Sequence, residues 1–262
     1  MIKTVLIVGC GNMGSQIAEL VSIGGYKTLV NDIDENKITD VIALNENIVP
    51  IMDLEKELPN HSVDLVIEAI SENFITKLTL YSLLDKILPE DTIIVSNTSS
   101  INIKALQQAS KRKEHFTGLH FFNPVKYMSL VELVGLKELY CSVEAELNYF
   151  VRHIGKIPMR VDSNSGYIVN YILFSAINSA IKLYEQTNNT PSVIDDCMVL
   201  GAKFNSGPLL TADYIGLDIV LDILENLYFE TGDEAYRPTH LLEKMVQNNE
   251  LGKKTGKGFY VY

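Results

Sequence analysis

Residues Lys3–Leu20 read KTVLIVGCGNMGSQIAEL, and this stretch decides the fold. Lys3–Val8 is a β-branched, apolar run of the kind that fills a strand buried on both faces. Gly9, Gly11 and Gly14 follow at the spacing GxGxxG, and from Ser15 onward Ile17, Ala18, Val21 and Ile23 suit one face of a helix. In such a strand–turn–helix, Gly9 permits the tight turn, Gly11 lets the backbone approach a pyrophosphate, and Gly14 lets the helix lie close on the strand. The helix N-terminus offers free N–H groups and a partial positive charge to phosphate oxygens. Asn12 and Met13 lie inside the turn and complete the backbone expected to face the ligand.

A second strand, Tyr26–Val30, ends in Asn31-Asp32-Ile33-Asp34. Asp32 stands eighteen residues after Gly14. A carboxylate there hydrogen-bonds the adenosine ribose and repels a 2′-phosphate, which favours NAD over NADP. The alternative, a solvated acid at a strand end, is disfavoured by the complete βαβ context. Asp34, one residue past the expected strand end, is the poorer candidate.

Further short apolar runs, Asp64–Ala69 and Thr92–Ser96, are separated by a helical stretch, Ile75–Leu88, and a further strand, Phe116–Leu119, ends at His120. Strands alternating with helices predict a Rossmann-type doubly wound parallel sheet with its ligand at the carboxyl ends of the strands. Polar residues cluster at those ends: Glu72 and Asn73, then Asn97, Thr98, Ser99 and Ser100, then His120 and Asn123. Each alone is an ordinary turn residue. Together they line the edge where a nicotinamide would lie.

From Gly166 the pattern turns helical. YIVNYILFSAINSAIKLYEQ carries apolar residues around most of the helix, as in a bundle or an interface. Asn164-Ser165-Gly166 reads as hinge and cap, which predicts residues 1–163 as the dinucleotide domain and 164–262 as an all-α domain. Further helices are expected over Pro191–Leu200 and Ile215–Phe229. The glycine-rich end, LGKKTGKGFYVY, reads as a basic turn and a short aromatic strand or extended tail.

The stretch GLHFFNPVKYMSLVEL, Gly118–Leu133, holds one histidine and, twelve positions on, one glutamate among Leu130, Val131 and Leu133. An unpaired ionised carboxylate in an apolar run costs several kcal/mol at least, so Glu132 faces water or has a partner. Composition narrows the function classes. The 262 residues are 47% apolar and 21% charged, with a net charge of −11. An acidic chain is a poor nucleic-acid binder. Cys10, Cys141 and Cys197 are dispersed, with no metal-ligand spacing, so no metal is expected and a reducing, cytoplasmic setting is the simplest reading. No apolar run is long enough to cross a membrane.

At this point the sequence resembles the L-3-hydroxyacyl-CoA dehydrogenases, including the bacterial 3-hydroxybutyryl-CoA dehydrogenases. The resemblance is carried by GCGNMGSQIA, DLVIEAISEN, SNTSSINI, GLHFFNPVKYMSLVE, GYIVN, GPLLTADYIGLD, GDEAYRP and LGKKTGKGFY, in the family's order over nearly the whole chain. It implies an NAD domain, a helical second domain and a homodimer formed through the latter. It also implies a catalytic dyad of His120 and Glu132, in which a neutral imidazole takes the proton of a hydroxyl and the carboxylate orients it. Ser99 and Asn170 carry over as hydrogen-bond partners of the substrate's oxygens, and Glu72, Lys77, Asn123 and Lys254 as cofactor contacts. Asn97 joins these by its place at a strand end.

Three stretches depart from the family pattern. The segment between Asp32 and Asp64 is short and lacks the helical hairpin and basic contacts to CoA. Tyr171 stands where arginine is usual. Phe204, Asn205 and Ser206 replace a His-Pro-Met-Gly-Pro type of loop. The chemistry is thus expected to be retained while the thioester handle is open: an acyl-CoA, or an acyl-carrier protein of the kind used in polyketide extender-unit pathways. An acidic carrier would need a basic patch, for which Lys111-Arg112-Lys113 and Lys203 are the candidates. A free β-hydroxyacid dehydrogenase would carry a lysine four residues before the asparagine of the second domain, where this chain has Gly166. A non-catalytic binding protein would not need His120, Glu132, Ser99 and Asn170 together.

Overall fold

A computed structural model describes residues 1–262. The chain divides into two compact units, Met1–Tyr167 and Ile168–Tyr262. The division falls after Tyr167 rather than after Ser163, because Tyr167 is buried and its hydroxyl donates to the Thr98 carbonyl of the first unit.

The first unit is built on β1 (Thr4–Val8), β2 (Lys27–Asn31), β3 (Ile48–Pro50), β4 (Leu65–Glu68), β5 (Ile93–Ser96), β6 (Phe116–Phe121), β7 (Leu130–Gly135) and β8 (Ile157–Asp162). They form one sheet in the order β3-β2-β1-β4-β5-β6-β7-β8. The chain reverses its winding between β1 and β4, the position at which doubly wound sheets bind their ligand. Helices α1 (Asn12–Ile23), α2 (Glu35–Ile42), α3 (Leu54–Glu57), α4 (Phe74–Ile87), α5 (Ile103–Ala109) and α6 (Cys141–His153) connect the strands. Burial is complete along β1, β4, β5 and β6, and each fully buried Leu, Ile or Val contributes about 1.5–3 kcal/mol.

One pairing departs from the parallel sheet expected: β7 runs antiparallel to β6. A parallel return needs a crossover of a dozen or more residues, and only residues 122–129 join the two strands. Strand β6 also runs past Leu119, through His120 to Phe121. Both features bear on the site.

In the second unit, α7 (Val169–Gln186), α8 (Pro191–Ala202), α9 (Pro208–Ile215), α10 (Leu217–Thr231) and α11 (His240–Gln247) enclose a core that includes Ile177, Ile181, Leu209, Leu224 and Tyr236. Pro208 starts a helix here, as proline can at the first helical position. The C-terminal stretch makes isolated antiparallel bridges, Gly252–Lys257 and Lys257–Val261, and is tied down further by side chains. Asp213 accepts from the backbone N–H of Phe259 and Tyr260 and from the Tyr262 hydroxyl. Asp195 accepts the N–H groups of Leu209 and Leu210 at the start of α9 and the Tyr260 hydroxyl.

Candidate active site

The carboxyl ends of β1, β2, β4, β5 and β6 carry the candidate residues. At the end of β1, Gly9 has φ +98°, and a Cβ there would overlap the Ala69 carbonyl; a Cβ on Gly14 would overlap the Gly9 carbonyl oxygen. Gly11 is different: a side chain there would meet nothing within 4 Å, so this edge is open. Helix α1 starts beside it without a side-chain cap and without an acid in its first turn, leaving its N–H groups available to an anion. Asn12 is exposed at the first helical position, and Met13 packs against the core. Asp32 accepts from Cys10 N at 2.6 Å through Oδ2 and from Asp34 N at 2.9 Å through Oδ1. That fixes the carboxylate at the end of β2 while leaving lone pairs for a diol. Burial, then the Asp32 charge, push the Cys10 thiol up to about 12, so the motif's cysteine stays protonated. Open backbone donors, a glycine with free space and a fixed carboxylate fit a dinucleotide.

His120 and Glu132 face each other directly across the antiparallel β6–β7 pair, so both side chains project from the same face. Their Nδ1–Oε2 distance is 2.8 Å, with His120 5% and Glu132 1% exposed. An ionised carboxylate only accepts, which assigns the hydrogen to Nδ1 and leaves the Nε2 lone pair unbonded within the chain. The imidazole packs against Phe122, at 4.5 Å between ring centroids, and Tyr167, at 5.5 Å. Asn97 Oδ1 accepts from Phe121 N at 2.8 Å, which locks the end of β5 to the residue after the histidine. Asn123 Oδ1 accepts from Gln16 Nε2 at 3.1 Å, and Gln16 Oε1 accepts from Val125 N at 2.9 Å. Gln16 thereby ties α1 to the loop after β6.

Ser99 belongs to a network. Glu72 Oε1 accepts from Ser99 N at 2.8 Å, Thr98 Oγ1 at 2.9 Å and Ser99 Oγ at 3.4 Å. Glu72 Oε2 lies 3.4 Å from Lys77 Nζ. Lys77 is 1% exposed and its ammonium donates to Glu68 Oε1 at 2.5 Å. It is therefore neither a solvated lysine nor a freely reaching cofactor contact; it reaches the site's edge through Glu72. Glu68 accepts three further hydrogen bonds, from Ile70 N, Tyr81 Oη and Ser96 Oγ.

The chain was compared with known proteins. Residues 43–165 match the profile of the 3-hydroxyacyl-CoA dehydrogenase NAD binding domain, and residues 166–262 that of the 3-hydroxyacyl-CoA dehydrogenase C-terminal domain. A 3-hydroxybutyryl-CoA dehydrogenase of Clostridioides difficile is 36% identical, over 98% of this chain and 98% of its own. The chain belongs to the 3-hydroxyacyl-CoA dehydrogenase family. Among solved structures, M. tuberculosis FadB2 superposes with a TM-score of 0.93 at 32% identity, covering 100% of this chain and 99% of that one. The (S)-3-hydroxybutyryl-CoA dehydrogenase PaaH1 from Ralstonia eutropha gives 0.91 at 35%, with the same coverage.

As a member of this dehydrogenase family the chain is an oxidoreductase, and its cofactor is NAD. Of the remaining candidates, Asn170 is buried in the first turn of α7, at 7% exposure, and Lys254 is bound to both oxygens of Asp218, at 2.5 and 2.6 Å. Sequence reasoning does not single out Glu68, Ser96, Tyr81 or Gln16. A signal for Glu68 is nonetheless present: it is an acid inside the apolar run DLVIEA, the same anomaly that singles out Glu132.

Proposed function

We propose that this chain interconverts a short-chain L-3-hydroxyacyl thioester and its 3-oxoacyl counterpart, with His120 as general base. The observation that carries the reading is the buried His120–Glu132 pair, with Nδ1 bonded to the carboxylate and Nε2 unbonded, at the ligand edge of the sheet. NAD, held by the glycine turn and Asp32, would supply the hydride acceptor for the oxidation and the hydride donor for the reduction. The Nε2 lone pair takes the proton of the 3-hydroxyl, and Glu132 stabilises the imidazolium that results. In reduction the same nitrogen gives the proton back. Ser99 Oγ turns its one hydrogen from the long contact with Glu72 to the reacting oxygen, while Glu72 holds the serine through its backbone N–H. Gly9, Gly11, Asn12, Met13 and Gly14 serve the pyrophosphate, Asp32 the adenosine ribose, and Glu72, Asn97 and Asn123 the rest of the cofactor, with Lys77 acting through Glu72; Lys254 is assigned to the cofactor by the family resemblance. Asn170 is assigned to the substrate by the family resemblance.

The handle of the thioester has two readings. Coenzyme A is the one named in the relatives. A carrier protein is favoured by one observation: between β2 and β4 the chain forms only the eight-residue α2, the three-residue β3, the four-residue α3 and a single 3-10 turn, with no hairpin to clamp a nucleotide. The basic cluster that a carrier would need is smaller than Lys111-Arg112-Lys113 suggests, because Arg112 is buried against Asp85 and the carbonyls of Pro89 and Thr92. Exposed apolar side chains on the second unit, among them Ile172, Leu200 and Phe229, support a homodimer. Exposed free thiols at Cys141 and Cys197 support a reducing compartment such as the cytoplasm. No helix is long and apolar enough to cross a membrane.

The test is NADH oxidation with acetoacetyl-CoA, an acetoacetyl-carrier protein and free acetoacetate in parallel. The proposal expects turnover with a thioester and none with the free acid. Turnover of free acetoacetate alone would contradict it.

A further inference from the structure

Tyr167 is one of three non-glycine residues with positive φ, at +47°, a strained backbone for an aromatic side chain. Strain of this kind persists where the surroundings hold it, and here both ends of the side chain are engaged. The ring packs on the His120 imidazole at 5.5 Å. The hydroxyl donates to the Thr98 carbonyl at 3.2 Å. Gly118 leaves the hydroxyl its room, since a Cβ there would come within 3.1 Å of it. Burial keeps the phenol far above its ordinary pKa, so the hydroxyl remains a donor. Thr98 is the residue before Ser99, and the pair is held on its other side by Glu72. One buried side chain therefore contacts the base and fixes the peptide that carries the serine.

We propose that Tyr167 is a positioning residue for the reaction: its hydroxyl sets the Thr98–Ser99 peptide, and through it the Ser99 hydroxyl, relative to the His120 ring on which its own ring rests. The inference rests on the assignment of Ser99 to the reacting oxygen. It is specific to the hydroxyl, because a phenylalanine would keep the ring contact and lose only the bond to Thr98.

The test is a double-mutant cycle of Tyr167→Phe and Ser99→Ala, read as kcat/KM for acetoacetyl-CoA at saturating NADH, with the Kd of NADH measured by fluorescence for each enzyme. If Tyr167 acts through Ser99, Tyr167→Phe lowers kcat/KM roughly tenfold when Ser99 is present and less than threefold in the Ser99→Ala background. The Kd of NADH then stays within twofold throughout. A loss below threefold with Ser99 present, or of threefold or more in the Ser99→Ala background, overturns the inference. So does a parallel weakening of NADH, which would make the effect one of the cofactor site. If Ser99→Ala alone leaves kcat/KM unchanged, the assignment of Ser99 itself fails, and the single variant shows this before Tyr167 is considered.

Discussion

Two buried ion pairs draw their carboxylates from the same sheet, and they are finished differently. Glu68 and Lys77 are 0% and 1% exposed, and each Glu68 oxygen accepts two hydrogen bonds within the chain. Glu132 and His120 are almost as deeply buried, yet the imidazole keeps one nitrogen unbonded. A carboxylate whose oxygens are all bonded within the fold, as at Glu68, specifies structure. A pair that retains an unused lone pair at a ligand edge is equipped for proton transfer. Burial and charge alone do not separate the two; counting donors and acceptors does.

The largest effect expected from disturbing this contrast is at the unsaturated pair. His120→Gln should lower kcat by roughly 10²–10⁴, with the Kd of NADH measured by fluorescence little changed. Near-normal turnover would move the base elsewhere. At the saturated pair the damage should appear in stability. Glu68→Gln leaves the buried Lys77 ammonium with only the more distant Glu72 carboxylate, at 3.4 Å, as counter-charge, and should cost about 3 kcal/mol in denaturant unfolding. Adding Lys77→Met should recover most of that loss. A single variant as stable as the parent would mean that Lys77 is not held by Glu68. Glu132→Gln should lower kcat less than removing the imidazole, by roughly 10–10², the worth of a hydrogen bond to a charged group. Asp32 is intermediate in kind, with both oxygens bonded to backbone N–H groups and lone pairs to spare. Its effect should be the smallest. NADH should be preferred over NADPH by about tenfold, or 1.4 kcal/mol, and Asp32→Ala should narrow that ratio.

What the sequence disclosed follows the same division. The strand–glycine–helix start, the later parallel strands and the helical second half were legible because apolar period and glycine spacing are local signals. The antiparallel β7 was not legible as such, since strand direction is set by the length of the connection rather than by the composition of the strand. Strand β8, with its partly exposed pattern, and helix α6 also lacked a clear local signal. His120 and Glu132 could be paired only through the family resemblance; their direct cross-strand register is a property of the folded sheet. The burial of Lys77 was hidden, because nothing in LVIEAISENFITK announces that Glu68 and Lys77 meet across a strand and a helix. Arg112 reads as part of a basic patch for the same reason: its partner Asp85 lies twenty-seven residues away.

The central claim is that Glu132 holds the His120 imidazole with its hydrogen on Nδ1 and its lone pair on Nε2. Long-range ¹H–¹⁵N correlation spectra of the ¹⁵N-labelled protein at pH 8 report this directly, with the His120 signals assigned by their loss in His120→Gln. The account predicts a protonated-type shift for Nδ1 and an unprotonated-type shift for Nε2, with the preference lost in Glu132→Gln. The opposite tautomer, with the hydrogen on Nε2 in the unaltered protein, would contradict it.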